Sequence, residues 1–317
     1  MANAFTFPGQ GSQHVGMGKD LANAFPAARA VFDEVDDVLG QKLSKIIFEG
    51  PLDALTLTEN TQPALLAVST AIMRVLEEGG VILPGSASHV AGHSLGEYSA
   101  LVAAGAISLG DAAGLVKLRG QAMQQAVPMG EGAMAALLGL DFEVAMEVAA
   151  EAAHGDVCQA ANDNAMGQVV ISGTAAAVER AIALASDKGA KRAMKLPVSA
   201  PFHCALMAPA ADIMAEALAT IDIRPPQVPV VVNVLAQPVS DPSEIRAHLV
   251  AQVTGTVRWR ESIIWLAANG VDTLYEIGAG KVLSGLARRI DRSLKAVPVN
   301  SLEDIEQSIA ALCEGQS

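Results

Sequence analysis

The stretch SASHVAGHSLGEYSALVAAGA, Ser86 to Ala106, changes character in its middle. His89 to Ala91 reads as a short buried strand, and from about Leu95 onward apolar residues recur at helical spacing. Between them stands Gly92-His93-Ser94-Leu95-Gly96, the pattern G-x-S-x-G. That pattern describes a nucleophile elbow, in which a serine sits on a strained strand-to-helix turn with its hydroxyl pointing out of the sheet. Glycines are needed on both sides because a Cβ there would run into neighbouring backbone. The alternative is a tight strand-to-helix turn that carries no chemistry.

Toward the N-terminus, Ala4-Phe5-Thr6-Phe7 is another apolar strand, followed by the loop FPGQGSQ, Phe7 to Gln13. A dinucleotide fingerprint needs G-x-G-x-x-G, and His14 stands where the third glycine belongs. A P-loop needs Lys-Ser/Thr after its last glycine, whereas Gly18 is followed by Lys19-Asp20. Neither nucleotide motif is complete. The spacing of Ala64 to Glu78 predicts a helix, with Pro63 in its first turn and Gly79-Gly80 as its stop. A further helix is expected over Asp111 to Ala126.

The pattern changes after VPMGEG, Val127 to Gly132. Strands are expected over Ala133–Leu140, Val157–Ala161, Gln168–Ser172 and Arg192–Val198, and helices over Phe142–Ala153 and Thr174–Lys188. The polar segment NDNAMG is expected to be the turn between the middle strands. The order β-α-β-β-α-β is that of a ferredoxin-like unit, here an insertion over residues 131–198. Residues 1–130 and 199–317 then form the larger domain. After Ser199 it resumes with a helix around Met207–Leu218, a strand Val228–Asn233, a helix around Trp259–Asn269, a strand Thr273–Gly278 and a helix from near Val282. The alternation predicts an α/β fold with a largely parallel sheet.

Composition narrows the function. Hydrophobic residues make up 51% of the 317 and charged residues 17%, as in a chain with a sizeable core. A formal net charge of −13 argues against a nucleic-acid footprint. Lys281, Arg288, Arg289, Arg292 and Lys295 still cluster, and the ordinary explanation is a solvated helix face. Cys158, Cys204 and Cys313 are odd in number and lack CxxC spacing, which points to reduced thiols in a cytoplasmic compartment and not to disulfides or zinc. The N-terminus has no secretory signal pattern, and no run of about 18 apolar residues predicts a membrane span.

A serine nucleophile needs a base. His93 adjoins Ser94, but at a sharp turn its side chain is expected to point away. His89 lies on the strand, and His154 closes a helix before Gly155. His203, in the loop segment SAPFHC, and His248, mid-helix among polar residues, both remain open as the base. Arg119, in LVKLRGQAM, is either a solvent-facing charge or a fixed fork for a substrate carboxylate.

Seven segments taken in order, FPGQGSQ, TENTQPALLAVS, GHSLGEYSALVAAGAIS, RGQAMQQAVPMGEGAMAALLGL, GQVVISG, PFH and YEIGAGKVLSGLARRI, closely resemble the malonyl-CoA:acyl-carrier-protein transacylases of fatty-acid synthesis. Acyltransferase domains of polyketide synthases share most of them. The resemblance runs from about Ala4 to Ile290. It implies an α/β-hydrolase-like large domain carrying the ferredoxin-like insertion. It implies Ser94 as nucleophile, His203 as base held by main-chain carbonyls, and Arg119 as the carboxylate fork. It matches Gln252, in HLVAQVTGTVRW, to the family's glutamine, and fits His93 and Leu95 to its elbow. Phe202 resembles the malonyl-selective members, and Asn162 a residue of the pocket wall.

The reaction the resemblance implies is ping-pong. Malonyl-CoA acylates Ser94, and the phosphopantetheine thiol of acyl carrier protein then takes the malonyl group. The oxyanion would be held by the Leu95 N–H and by Gln10. No cofactor is implied, and a monomer is expected. An acidic carrier would dock on Lys281, Arg288 and Arg289, or on Lys188, Lys191 and Arg192 of the insertion. The competing readings are an esterase or thioesterase, an acyltransferase serving a polyketide assembly line, and a catalytically silent docking protein.

Overall fold

The computed structural model describes residues 2–314. Its strands are β1 (Ala2–Phe7), β2 (His89–Gly92), β3 (Gly132–Leu138), β4 (Cys158–Ala165), β5 (Gln168–Thr174), β6 (Arg192–Lys195), β7 (Val230–Val232), β8 (Gln237–Val239), β9 (Val271–Ile277) and β10 (Lys295–Val299). They form two sheets. One has the order β10-β9-β1-β2-β7-β8, and every pair in it is parallel except β7 with β8. The other has the order β4-β5-β3-β6 and is antiparallel throughout. The mixed α/β architecture with a largely parallel main sheet is as expected from the alternation of strands and helices.

The parallel sheet is buried on both faces, so its strands read as continuous apolar runs. Phe5, Phe7, Val90 and Val230 face one core, packed by the helices Pro26–Leu39, Thr58–Glu78 and Leu109–Gln125. Ala4, Ala91 and Val231 face a second, with Trp259, Ile263 and Leu286. The antiparallel sheet has a core of its own, in which Leu137, Val169 and Ile171 meet Val148, Val178 and Ala181 of its two helices.

Register brings three chain segments to one edge of the parallel sheet. Phe7 pairs with Gly92, and Ala91 with Val231. The loop after β1, the elbow after β2 and Asn233 after β7 therefore leave the carboxyl ends of neighbouring strands side by side, where open α/β sheets place their ligand crevices.

Two local expectations are corrected. The helix predicted from Ala64 begins at Thr58, and Pro63 lies inside it instead of in its first turn. Polar residues hid the start: Thr58, Asn60, Thr61 and Gln62 are all buried. The segment expected as a turn is mostly strand, since β4 runs through Asn162, Asp163 and Asn164 to Ala165. Tertiary bonds hold it extended. Asp163 N donates to Val257 O at 2.9 Å, and its carboxylate pairs with Arg260 at 2.8 Å. Asn164 Oδ1 lies 2.8 Å from His93 Nε2.

Candidate active site

The elbow is built as its glycines require. A Cβ on Gly92 would overlap the backbone of Gly96, and one on Gly96 would overlap the carbonyl of Phe7. Ser94 takes φ +54°, a left-handed conformation that costs a non-glycine residue about 1–3 kcal/mol. Two buried residues from other elements offset that strain. Asn233 Oδ1 accepts from Ser94 N at 2.8 Å while its Nδ2 donates to Gly92 O at 2.7 Å. Gln252 Nε2 donates to Ser94 O at 3.0 Å.

The Ser94 hydroxyl meets two groups. His203 Nε2 is 2.8 Å from Oγ, and Arg119 Nη2 donates to the same oxygen at 3.1 Å. His203 Nδ1 faces the main-chain carbonyl of Gln252 at 2.8 Å, which fixes the imidazole with a carbonyl where a hydrolase triad uses a carboxylate. That carbonyl requires the proton on Nδ1 and leaves Nε2 as the acceptor facing Ser94. Burial, assisted by the Arg119 charge, lowers the His203 pKa to about 3. The ring is therefore a neutral base throughout the neutral range.

Arg119 is not a surface charge. It is 2% exposed, on the helix Leu109–Gln125. Nη1 donates to Gln62 Oε1 at 2.7 Å and Nη2 to Gln252 Oε1 at 2.9 Å, while Nε has no partner among the described residues. Its charge lies 6.0 Å from the Tyr98 ring centroid. Burial pulls the Arg119 pKa down.

A cavity of about 120 Å³ opens over these groups. It is lined by Gln10, Gln62, His93, Ser94, Leu95 and Arg119 on the side of the parallel sheet. Met134, Asn162, Leu196 and Val198 line it toward the antiparallel sheet, and Met123, Phe202 and His203 complete the wall. The loop carrying Gln10 can come this close because Gly9 has no side chain, and a Cβ there would sit 2.5 Å from His93 O. Among the described residues, no hydrogen bond takes up the backbone N–H of Gln10 or of Leu95.

Of the residues singled out from sequence, Gln10, His93, Ser94, Leu95, Arg119, Asn162, Phe202 and His203 line one cavity, and Gln252 lies directly behind it. His93 makes no bond to Ser94 but still lines the cavity, with its ring turned to Asn164 and Trp259. His248 sits half-buried on the helix Pro242–Thr254, outside the cavity. Sequence reasoning missed Asn233, Glu97 and Gln62. Glu97 is 1% exposed, and its Oε2 accepts from Asn233 N at 2.8 Å and Gln252 Nε2 at 3.1 Å. Burial raises its pKa to about 7. The available signal was an acidic residue in the first turn of an otherwise apolar helix; for Asn233 only strand register could have served.

A Ser-His pair and a buried cation meet on an elbow at the carboxyl edge of a parallel sheet, an arrangement chemically suited to acyl transfer, and comparison with known proteins shows the family. The acyl transferase domain family model matches residues 4–304. The malonyl CoA-acyl carrier protein transacylase of Bacillus subtilis is 51% identical over 98% of this chain and 97% of its own. The crystal structure of an acyl-carrier-protein S-malonyltransferase from Bartonella henselae is 59% identical, with a TM-score of 0.97, over 99% of this chain and 100% of that one. A malonyl-transacylase solved in complex with its type II polyketide-synthase acyl carrier protein is 47% identical, with a TM-score of 0.95, over 98% of this chain and 100% of that one. The chain belongs to the malonyl CoA-acyl carrier protein transacylases within the acyl transferase family.

Proposed function

We propose that this enzyme transfers a malonyl group from malonyl-CoA to the phosphopantetheine thiol of acyl carrier protein, by a ping-pong route through malonyl-Ser94, for fatty-acid elongation. The observation that carries the proposal is Ser94 Oγ lying between His203 Nε2, at 2.8 Å, and Arg119 Nη2, at 3.1 Å.

His203 Nε2 takes the Ser94 proton as Oγ attacks the thioester carbonyl. The tetrahedral oxyanion accepts from the backbone N–H groups of Leu95 and Gln10. The C–S bond breaks, the proton on His203 goes to the departing CoA sulfur, and an ester remains on Ser94. The carrier's thiol then gives its proton to His203 and attacks the ester carbonyl. The Ser94–acyl bond breaks and Oγ recovers the proton. Arg119 pairs with the malonyl carboxylate, and an acetyl group would leave that buried cation uncompensated. The chain's own groups handle every proton, and the phosphopantetheine arrives on the partner, so the route invokes no cofactor.

On the same reading, residues 1–130 and 199–317 form an α/β-hydrolase-like catalytic domain, and residues 131–198 a ferredoxin-like insertion whose strand order, β4-β5-β3-β6, supports that assignment. We read the protein as a cytoplasmic monomer. Among the described residues, no helix is long and apolar enough to cross a membrane. The carrier docks on Lys281, Arg288 and Arg289, or on Lys188, Lys191 and Arg192. Charge reversals at both patches that leave the carrier KM unchanged would remove the docking assignment. The reaction is tested by intact-protein mass after mixing with malonyl-, methylmalonyl- and acetyl-CoA. The expected result is a malonyl adduct on Ser94 that is stable to water and discharged by carrier protein. Rapid unassisted hydrolysis would indicate an esterase, and no adduct a silent docking protein.

A further inference from the structure

In the polar segment Thr58 to Gln62 every residue but Glu59 is buried: Thr58 is 1% exposed and Gln62 1%. Such groups are costly to bury unless each finds a partner. Asn60 and Thr61 donate to the nearby carbonyls of Ala54 and Leu55, and Asn60 Oδ1 accepts from Gln41 and Lys117. Thr58 and Gln62, one helical turn apart, bond toward the active site instead. Arg119 Nη1 donates to Gln62 Oε1 at 2.7 Å, Gln62 Nε2 to Thr58 Oγ1 at 3.2 Å, and Thr58 Oγ1 to Gln10 Oε1 at 2.8 Å. The direction of this relay is forced. A guanidinium only donates, so Gln62 turns its oxygen to Arg119 and its nitrogen to Thr58. Gln10 presents Oε1, which only accepts, so the Thr58 proton goes to Gln10. Backbone packing fixes the register: a Cβ on Gly120, beside Arg119, would meet Glu59 Cα at 2.7 Å and Thr58 O at 2.8 Å.

We propose that Thr58 is a positioning residue for acyl transfer: its hydroxyl anchors the Gln10 side chain, which holds the Gln10 backbone N–H at the Ser94 cavity, and Gln62 ties that anchor to Arg119. This rests on reading Ser94 as the acylated nucleophile. The Gln10 side chain is then a handle and the backbone N–H is the donor. The relay joins the oxyanion loop to the cation that holds the substrate carboxylate.

The test is single-turnover malonylation of Ser94 in the full chain, followed by intact-protein mass. Thr58→Val keeps the side-chain shape and removes the O–H. It is expected to slow malonylation by about tenfold or more, since loss of a whole oxyanion donor costs about 10²–10³ in rate. KM for malonyl-CoA should stay within about threefold, because the loss falls on the transition state. Thr58→Ser should restore the rate. Gln10→Ala keeps the backbone N–H but loses the handle, and should be as slow as Thr58→Val. The double variant should be no slower than either, because both break one unit. A parental rate for Thr58→Val, or a double variant whose losses multiply, overturns the relay. If Thr58→Val loses its cooperative thermal transition, Thr58→Ser and Gln10→Ala decide, and a parental rate for Gln10→Ala overturns it. A parent chain that takes no malonyl at Ser94 overturns the transfer reaction itself, which separates that failure from failure of the relay.

Discussion

The two sheets border one cavity and supply it with different chemistry. The parallel sheet delivers Ser94 on the elbow after β2, Gln10 on the loop after β1 and Asn233 after β7. The antiparallel sheet delivers Met134 from β3, Asn162 from β4, and Leu196 and Val198 just past β6. Neither group touching the Ser94 hydroxyl comes from that second sheet; they are His203 and Arg119. Parallel strands end together and turn their loops the same way, which gathers reactive groups at one edge. An antiparallel sheet offers a face, and a face makes a wall. Reaction and acyl-chain shape should therefore respond separately to substitution.

The largest effect is expected on the parallel side. Ser94→Ala should abolish the malonyl adduct, and an undiminished adduct would move the nucleophile elsewhere. Next is His203→Gln, expected to slow malonylation by about 10²–10⁴, the usual contribution of a positioned general base. A smaller loss in single-turnover kinetics would mean that another group takes the proton. Arg119→Ala should cost malonyl-CoA about 2–5 kcal/mol in kcat/KM, the usual loss on truncating one partner of a buried charge pair. Transfer of acetyl should fall far less. Equal losses for the two donors would make Arg119 a structural residue.

The pH response separates the two buried acid–base groups. The His203 pKa is lowered to about 3 from its ordinary value of 6.5. Between those values the unfolded chain binds a proton that the folded chain does not, so this contribution is whole above pH 6.5 and is lost as pH falls toward 3. Glu97 acts oppositely. Its pKa is raised to about 7 from 4.5, so its contribution is whole below 4.5 and is lost as pH rises through about 7. Malonylation rates should show no histidine step near pH 6.5, and a step there would contradict a buried neutral base. Glu97→Gln should flatten the alkaline side of a stability-against-pH curve measured by urea unfolding. The smallest effects belong to the antiparallel wall. Leu196→Ala should change the malonyl-to-methylmalonyl ratio by about tenfold, as methylene-sized changes do in apolar pockets, and leave the malonyl rate nearly intact. If it cuts the rate as deeply as His203→Gln, the division between the sheets fails.

The elbow was legible because G-x-S-x-G is a contiguous pattern: strand, strained turn and helix lie within one short segment, and Gly92 is demanded by its own contact with Gly96, although Gly96 is demanded by Phe7 of the neighbouring strand. The β-α-β-β-α-β order was legible because periodicity is local too. The strand through Asn162–Asn164 was not, because its polar residues are paid for by Arg260, Val257 and His93, which are remote in the chain. The buried start of the helix at Thr58 escaped for the same reason.

By itself the sequence determined the α/β class, the position of the G-x-S-x-G elbow and, through seven ordered segments, the family. Spacing alone left His203 and His248 both open as the base and Arg119 open between a solvent-facing charge and a fork, and the family resemblance pointed to His203 and to the fork. Tertiary structure decided their placement, because whether a polar side chain is solvated or desolvated depends on contacts that no local spacing encodes. The glutamine in FPGQGSQ belongs to the same class. Its place beside two glycines could be read directly, but its partner, Thr58, is set by a helix that the fold brings to it.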